Sequence, residues 1–154
     1  MNSEVFEKYY NKALKFLSYR PRSEKEIVDK LLRKKASQEI INRIIKKLKE
    51  YKFIDDKEFV KWWIEQRTNF KPRSLRLIKM ELGQKGIDKD LMDQVIDDLR
   101  LTIDDLASAK KLIEKKLPRY KGLDRDKKFQ KIARYLASKG FNYDVIKEIF
   151  KELN

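Results

Sequence analysis

A pattern that returns at a fixed spacing must be one structural unit built several times, so an internal repeat constrains this chain more than any other feature. YRPRS at residues 19–23 returns 51 residues later as FKPRS at 70–74, with aromatic, base, proline, arginine and serine in the same order. The agreement continues downstream. At the same offset Ile27, Leu31, Ser37, Ile41, Ile44 and Leu48 meet Ile78, Leu82, Asp88, Met92, Val95 and Leu99. A further offset of 54 gives Ile132, Leu136, Asn142, Ile146, Ile149 and Leu153.

The apolar spacing within each copy predicts three helices. The first carries Phe6, Tyr9, Tyr10, Ala13 and Leu17 in copy one, Phe59, Val60, Trp63 and Ile64 in copy two, and Leu106, Ala109, Leu112 and Ile113 in copy three. Ser23 and Glu26 form an S-x-x-E capping box that opens the second helix and leaves Pro21 outside it. Ser37, Asp88 and Asn142 share the ability to accept from the free amides of a third helix. Gly86 and Gly140 stand where the second helix should end in a left-handed residue, a role that Ala36 fills poorly in copy one. The pentapeptide is thus the joint between helices one and two, and copy three replaces it with the longer LPRYKGLDRD.

The expected fold is all-α, with three-helix repeats at 1–53, 54–100 and 101–154. A unit of about 50 residues is near the size limit for independent folding, so the repeats should stack into an elongated, curved array. A single compact bundle of nine helices satisfies the same apolar pattern.

Charge narrows the function. The chain has 39 bases against 25 acids, a net charge of +14, which favours partners bearing phosphates or acidic surfaces. Cysteine and histidine are absent, which removes thiolate and imidazole metal sites, Cys or Ser-His nucleophiles and disulfides. No enzyme activity, cofactor or metal is expected. The N-terminal stretch MNSEVFEKYYNKALKFLSY has no apolar core of a signal peptide or membrane span, so a cytoplasmic monomer without membrane contact is expected.

In the middle copy, Arg67, Lys71, Arg73, Arg76, Lys79 and Lys85 face the lone Glu81 between residues 67 and 85. At about 100° per residue, Arg73, Arg76 and Lys79 fall within roughly 120° of one another, away from Leu75, Ile78 and Leu82. Each alone reads as a solvated side chain. As a set with Arg20 and Arg22 at the first joint they read as a binding surface. Trp62, expected nearer the edge than Trp63, reads as a contact between repeats or an anchor for a base or partner. The pairs Asp55/Asp56 and Asp104/Asp105 read as caps at the start of a first helix rather than metal ligands.

The stretches YRPRSEKEI, FIDDKEFVKWWIEQR and IKMELGQKGID resemble the sequence marks of the RecX regulators, over nearly the whole chain. The resemblance implies three helical repeats lying in the groove of a RecA recombinase filament, where they block ATP hydrolysis and strand exchange without any catalytic residue. Arg20, Arg22, Lys71, Arg67, Arg73, Arg76, Lys79 and Trp62 are then the expected contacts with the filament or its DNA. Two other classes share part of this pattern: a non-specific DNA-binding helical module and a carboxylate-only nuclease. The acidic third helix of the middle copy speaks against the first, and acids clustered only at helix starts speak against the second.

Overall fold

The computed structural model describes residues 2–98 and 104–153, and every regular element among them is helical. Repeat 1 supplies α1 (Asn2–Tyr19), α2 (Glu24–Arg33) and α3 (Gln38–Glu50); repeat 2 supplies α4 (Asp56–Asn69), α5 (Leu75–Gln84) and α6 (Lys89–Asp98). Repeat 3 supplies α7 (Asp105–Lys116), a 3₁₀ turn (Leu117–Tyr120), α8 (Arg125–Ser138) and α9 (Tyr143–Leu153). The all-α repeat fold is as expected. Leu99 and Arg100, and with them the boundary expected after residue 100, lie outside the described residues.

Local chemistry sets the helix starts. Ser23 accepts from the Glu26 amide while the Glu26 side chain accepts from the Ser23 amide, completing the predicted box. Ser37, Asp88 and Asn142 accept from the amides of Ile40, Leu91 and Val145. Such caps contribute about 1 kcal/mol each. The ends of the second helices are also alike. The amides of Ala36, Ile87 and Phe141 reach back to the carbonyls of Leu31, Leu82 and Leu136, and all three side chains are buried. This is the Schellman closure, and its left-handed residue in repeat 1 is Lys35, at φ +68°, rather than Ala36. Ala36 is one place further on, where an apolar side chain tucks into the core.

The chain packs as two compact units, Met1–Trp63 with Leu82–Val95, and Ile64–Glu81 with Ile96–Asn154. In the first, Ala13, Ile27, Leu31, Ile41, Ile44 and Leu48 are fully buried beneath Phe6, Tyr10 and Leu17. In the second, Ala109, Ile113, Ile132 and Leu136 are fully buried and Phe129 packs edge-on against Phe150 at 4.9 Å. At roughly 1.5–3 kcal/mol for each large buried aliphatic side chain, these stripes outweigh the intrinsic propensity of helices this short.

Each unit contains one link from repeat to repeat. In the first, the Glu24 amide donates to Asp56 (2.8 Å) and the Ser23 hydroxyl donates to the Lys85 carbonyl (2.7 Å). In the second, the Leu75 amide donates to Asp105 (2.9 Å) and the Ser74 amide to the Lys139 carbonyl (3.5 Å). Asp55 and Asp104 do cap their own helices, through the amides of Lys57 and Ala107. Their neighbours Asp56 and Asp105, expected to do the same, instead cap the second helix of the preceding repeat. Both links come close to a left-handed glycine. A β-carbon on Gly86 would lie 2.5 Å from Lys25 Cβ, and one on Gly140 would lie 2.6 Å from Ser74 Oγ and 2.9 Å from Leu77 Cβ.

Candidate partner-binding surface

The first joint gathers its charge around Glu26. Arg20 pairs with that carboxylate, Arg22 Nη1 lies 3.7 Å from it and Lys85 Nζ 3.6 Å. Burial pushes the Glu26 carboxyl up, but the hydrogen bonds from Arg20 and the Ser23 amide and the charges of Arg20 and Lys85 outweigh it, so the group sits below the usual carboxylate range. Arg22 is stacked 3.7 Å above the Phe16 ring and its Nε donates to the Phe16 carbonyl. Burial first, then the neighbouring Arg20, lowers its pKa. The Arg20 guanidinium lies over both tryptophans, 5.7 Å from the centre of the Trp62 ring and 5.7 Å from that of Trp63. Trp62 and Trp63 are both half-buried against Phe59, so the expected contrast between an edge and a core tryptophan is absent. At the adjoining link, burial raises the pKa of Asp56 despite the amide bond from Glu24.

The second joint is built around Glu81. Arg67 Nε and Arg73 Nη1 reach its two carboxylate oxygens at 3.0 and 2.7 Å, with side chains 18% and 26% exposed against 14% for Glu81. Arg76 is exposed, yet its Nη2 donates to the Gly140 carbonyl at 3.1 Å. Lys71 is exposed and Lys79 half-exposed. The aromatic that begins each joint stands in solvent, Tyr19 at 72% exposure and Phe70 at 68%.

The structure therefore divides the eight residues predicted from sequence. Arg20 and Arg22 meet at Glu26, Arg67 and Arg73 meet at Glu81, and Trp62 lies beside Arg20. Arg76 instead meets the Gly140 carbonyl, and Lys71 and Lys79 stand at the exposed and half-exposed surface. Sequence reasoning missed Glu26 and Glu81 as centres of these joints. The signal for Glu81 was its isolation among six bases.

A chain of three-helix repeats joined through buried capping contacts and paired charges is a helical-repeat scaffold. Models of the three domains of one family match it in order: the first three-helix domain of RecX at residues 10–48, the second at 55–96 and the third at 103–150. The chain belongs to the RecX family. It is 37% identical over 153 residues to a regulatory protein RecX of Finegoldia magna, covering 97% of this chain and 73% of that protein. It is 32% identical to the regulatory protein RecX of Oceanobacillus iheyensis, with 98% of this chain and 55% of the relative covered, so it spans little more than half of that protein. The crystal structure of RecX from Lactobacillus salivarius matches with a TM-score of 0.76 at 32% identity, over 98% of this chain and 97% of the other. A second crystal structure of regulatory protein RecX matches with a TM-score of 0.78 at 29% identity, over 96% and 74%.

Proposed function

We propose that this chain binds the RecA recombinase filament in the cytoplasm and inhibits its ATPase and strand-exchange activities, thereby modulating recombination and DNA repair within the SOS response. The observation that carries this reading is the match to all three RecX domains in order. A scaffold that acts across several protomers needs an extended, charged and shape-matched surface rather than a deep site. In this reading Lys71, Arg76, Lys79 and the half-buried Trp62 make contacts with the filament. Arg20, Arg22, Arg67 and Arg73 hold the joints that present them. The chain acts as a monomer, needs no cofactor or metal, and has weak, sequence-independent affinity for nucleic acid because +14 of net charge attracts phosphates.

That same charge favours the second reading, a non-specific DNA-binding module that inhibits only by competing for the strand. RecA ATPase on single-stranded DNA separates the two. A filament regulator inhibits when far fewer molecules are present than RecA protomers. Inhibition that begins only when the protein suffices to coat the strand would contradict filament binding and favour simple competition.

A further inference from the structure

Repeat 3 has a longer second helix than the other two: α8 has 14 residues where α2 and α5 have 10 each. Its cap, Asp124, is eight residues before the core residue Ile132, whereas Ser23 is four before Ile27, so the added turn lies at the N-terminal end. That turn introduces Lys127. At 100° per residue Lys127, Lys131 and Arg134 fall within about 60° of one another, on the side away from Ile132 and Leu136. All three are exposed, and none has an acidic partner among the described residues.

The repeat supplies the control. The positions of Lys127, Lys131 and Arg134 are held in repeat 1 by Arg22, just before α2, and by Glu26 and Asp29, and in repeat 2 by Arg73, just before α5, and by Leu77 and Met80. In repeat 1 two of the three positions are carboxylates: Glu26 serves the joint, with Lys85 beside it, and Asp29 pairs with Lys25. In α5, Leu77 Cβ lies where only a glycine at 140 leaves room. In α8 the same face is a row of three cations. Lys127 and Lys131, four residues apart, repel each other by a few tenths of a kcal/mol in an isolated helix, a conflict that a polyanion would relieve. Tyr135 flanks the row, with Lys116 Nζ 4.9 Å and Lys139 Nζ 5.8 Å from its ring centre. Cations spaced by one helical turn, with an aromatic ring at their edge, suit a phosphodiester backbone and carry no base-reading geometry.

We propose that the exposed face of α8, formed by Lys127, Lys131 and Arg134 with Lys116, Lys139 and Tyr135 beside it, is the surface on which this protein holds nucleic-acid backbone. The proposal deepens the nucleic-acid part of the function given above and is independent of RecA. Its test is the binding of labelled single-stranded oligonucleotides, by fluorescence anisotropy across a salt series, to the full chain and to Lys127→Glu/Lys131→Glu/Arg134→Glu. The variant should bind about tenfold more weakly or worse, and its log–log salt slope should be shallower by about 2, as expected for three lost phosphate contacts on a single strand. A control with the same change in net charge, Lys8→Glu/Lys15→Glu/Lys46→Glu, should lose markedly less and keep its slope. Circular dichroism melts report folding; if the acidic variant unfolds, the glutamine substitutions at the three ridge positions decide by the same criteria. Equal losses in ridge and control variants would show that net charge alone binds, and an unaffected ridge variant would remove the site; either overturns the proposal. A ridge variant that binds DNA like the parent but fails to inhibit RecA would also overturn it, by assigning the face to an acidic protein surface. If the parent chain itself does not bind, the nucleic-acid reading fails as a whole, which the parent titration reveals first.

Discussion

Phe16, Arg22 and Lys30 in repeat 1 occupy the positions of Arg67, Arg73 and Glu81 in repeat 2. In the first joint the arginine sits over a phenylalanine, 3.7 Å from its centre, with Lys30 Nζ 5.1 Å from the same ring. In the second the ring is replaced by another arginine and the lysine by a glutamate that binds both guanidinium groups. A partly desolvated cation–π contact and a partly exposed ion pair are each worth on the order of 1–2 kcal/mol, so either chemistry can close the same joint. The constant member is the arginine after proline, whose planar, five-donor guanidinium suits both a ring face and a carboxylate better than the point charge of a lysine. The difference teaches that this arginine belongs to the fold in both repeats. Its positive charge is satisfied locally, by Phe16 and Glu26 in one case and by Glu81 in the other.

The largest effects expected from testing this correspondence are at the glycines. Gly140→Ala and Gly86→Ala each place a methyl group less than 3 Å from a neighbour in a left-handed backbone, and should cost about 3 kcal/mol. Lys35→Ala, at the equivalent left-handed but exposed position of repeat 1, should change stability by less than about 0.5 kcal/mol. Denaturant melts measure all three, and equal costs at the three sites would break the distinction between crowded links and an open helix end. A smaller effect distinguishes the carboxylate of the first joint. Glu26 has its carboxyl pKa lowered by folding, so its contribution is complete above the ordinary value of about 4.3 and is lost as the pH falls through the folded value. Glu26→Gln keeps an acceptor for the Ser23 amide but loses the charge, at a cost of about 1.5 kcal/mol at neutral pH. Its stability should fall less steeply than the parent's below about pH 4.3; parallel pH profiles would contradict the assigned role.

Much of the fold was legible because it depends on residues close in sequence. Ser23 with Glu26, and Ser37, Asp88 and Asn142 before their helices, act within one helical turn, where spacing is sufficient evidence. The links between repeats were not legible. Ser23 meets Lys85 and Arg76 meets Gly140 across more than 60 residues, and no periodicity encodes which carbonyl a side chain will reach. The second aspartate of each DD pair was misread for the same reason, since its chemistry as a cap was plain while the helix it caps was not. The basic surface was half legible. A helical wheel separates Arg73, Arg76 and Lys79 from the apolar stripe, but it cannot show that Arg73 shares Glu81 with Arg67 from the preceding helix. The row on α8 went unassigned because the longer connection before it hid that this helix starts a turn earlier than α2 and α5, although the register of its core residues was plain.

The claim that one arginine closes both joints by interchangeable chemistry is tested most directly by giving the second joint the residues of the first. Glu81→Lys alone leaves three cations together and should destabilise the chain by about 2–3 kcal/mol, lowering the melting temperature by roughly 5–10 °C. Adding Arg67→Phe creates the phenylalanine, arginine and lysine set of repeat 1 around Arg73, and thermal melts should show at least half of that loss recovered. If the double variant melts no higher than Glu81→Lys, or if Glu81→Lys melts with the parent, the two joints are not equivalent and Arg73 does not hold the second one.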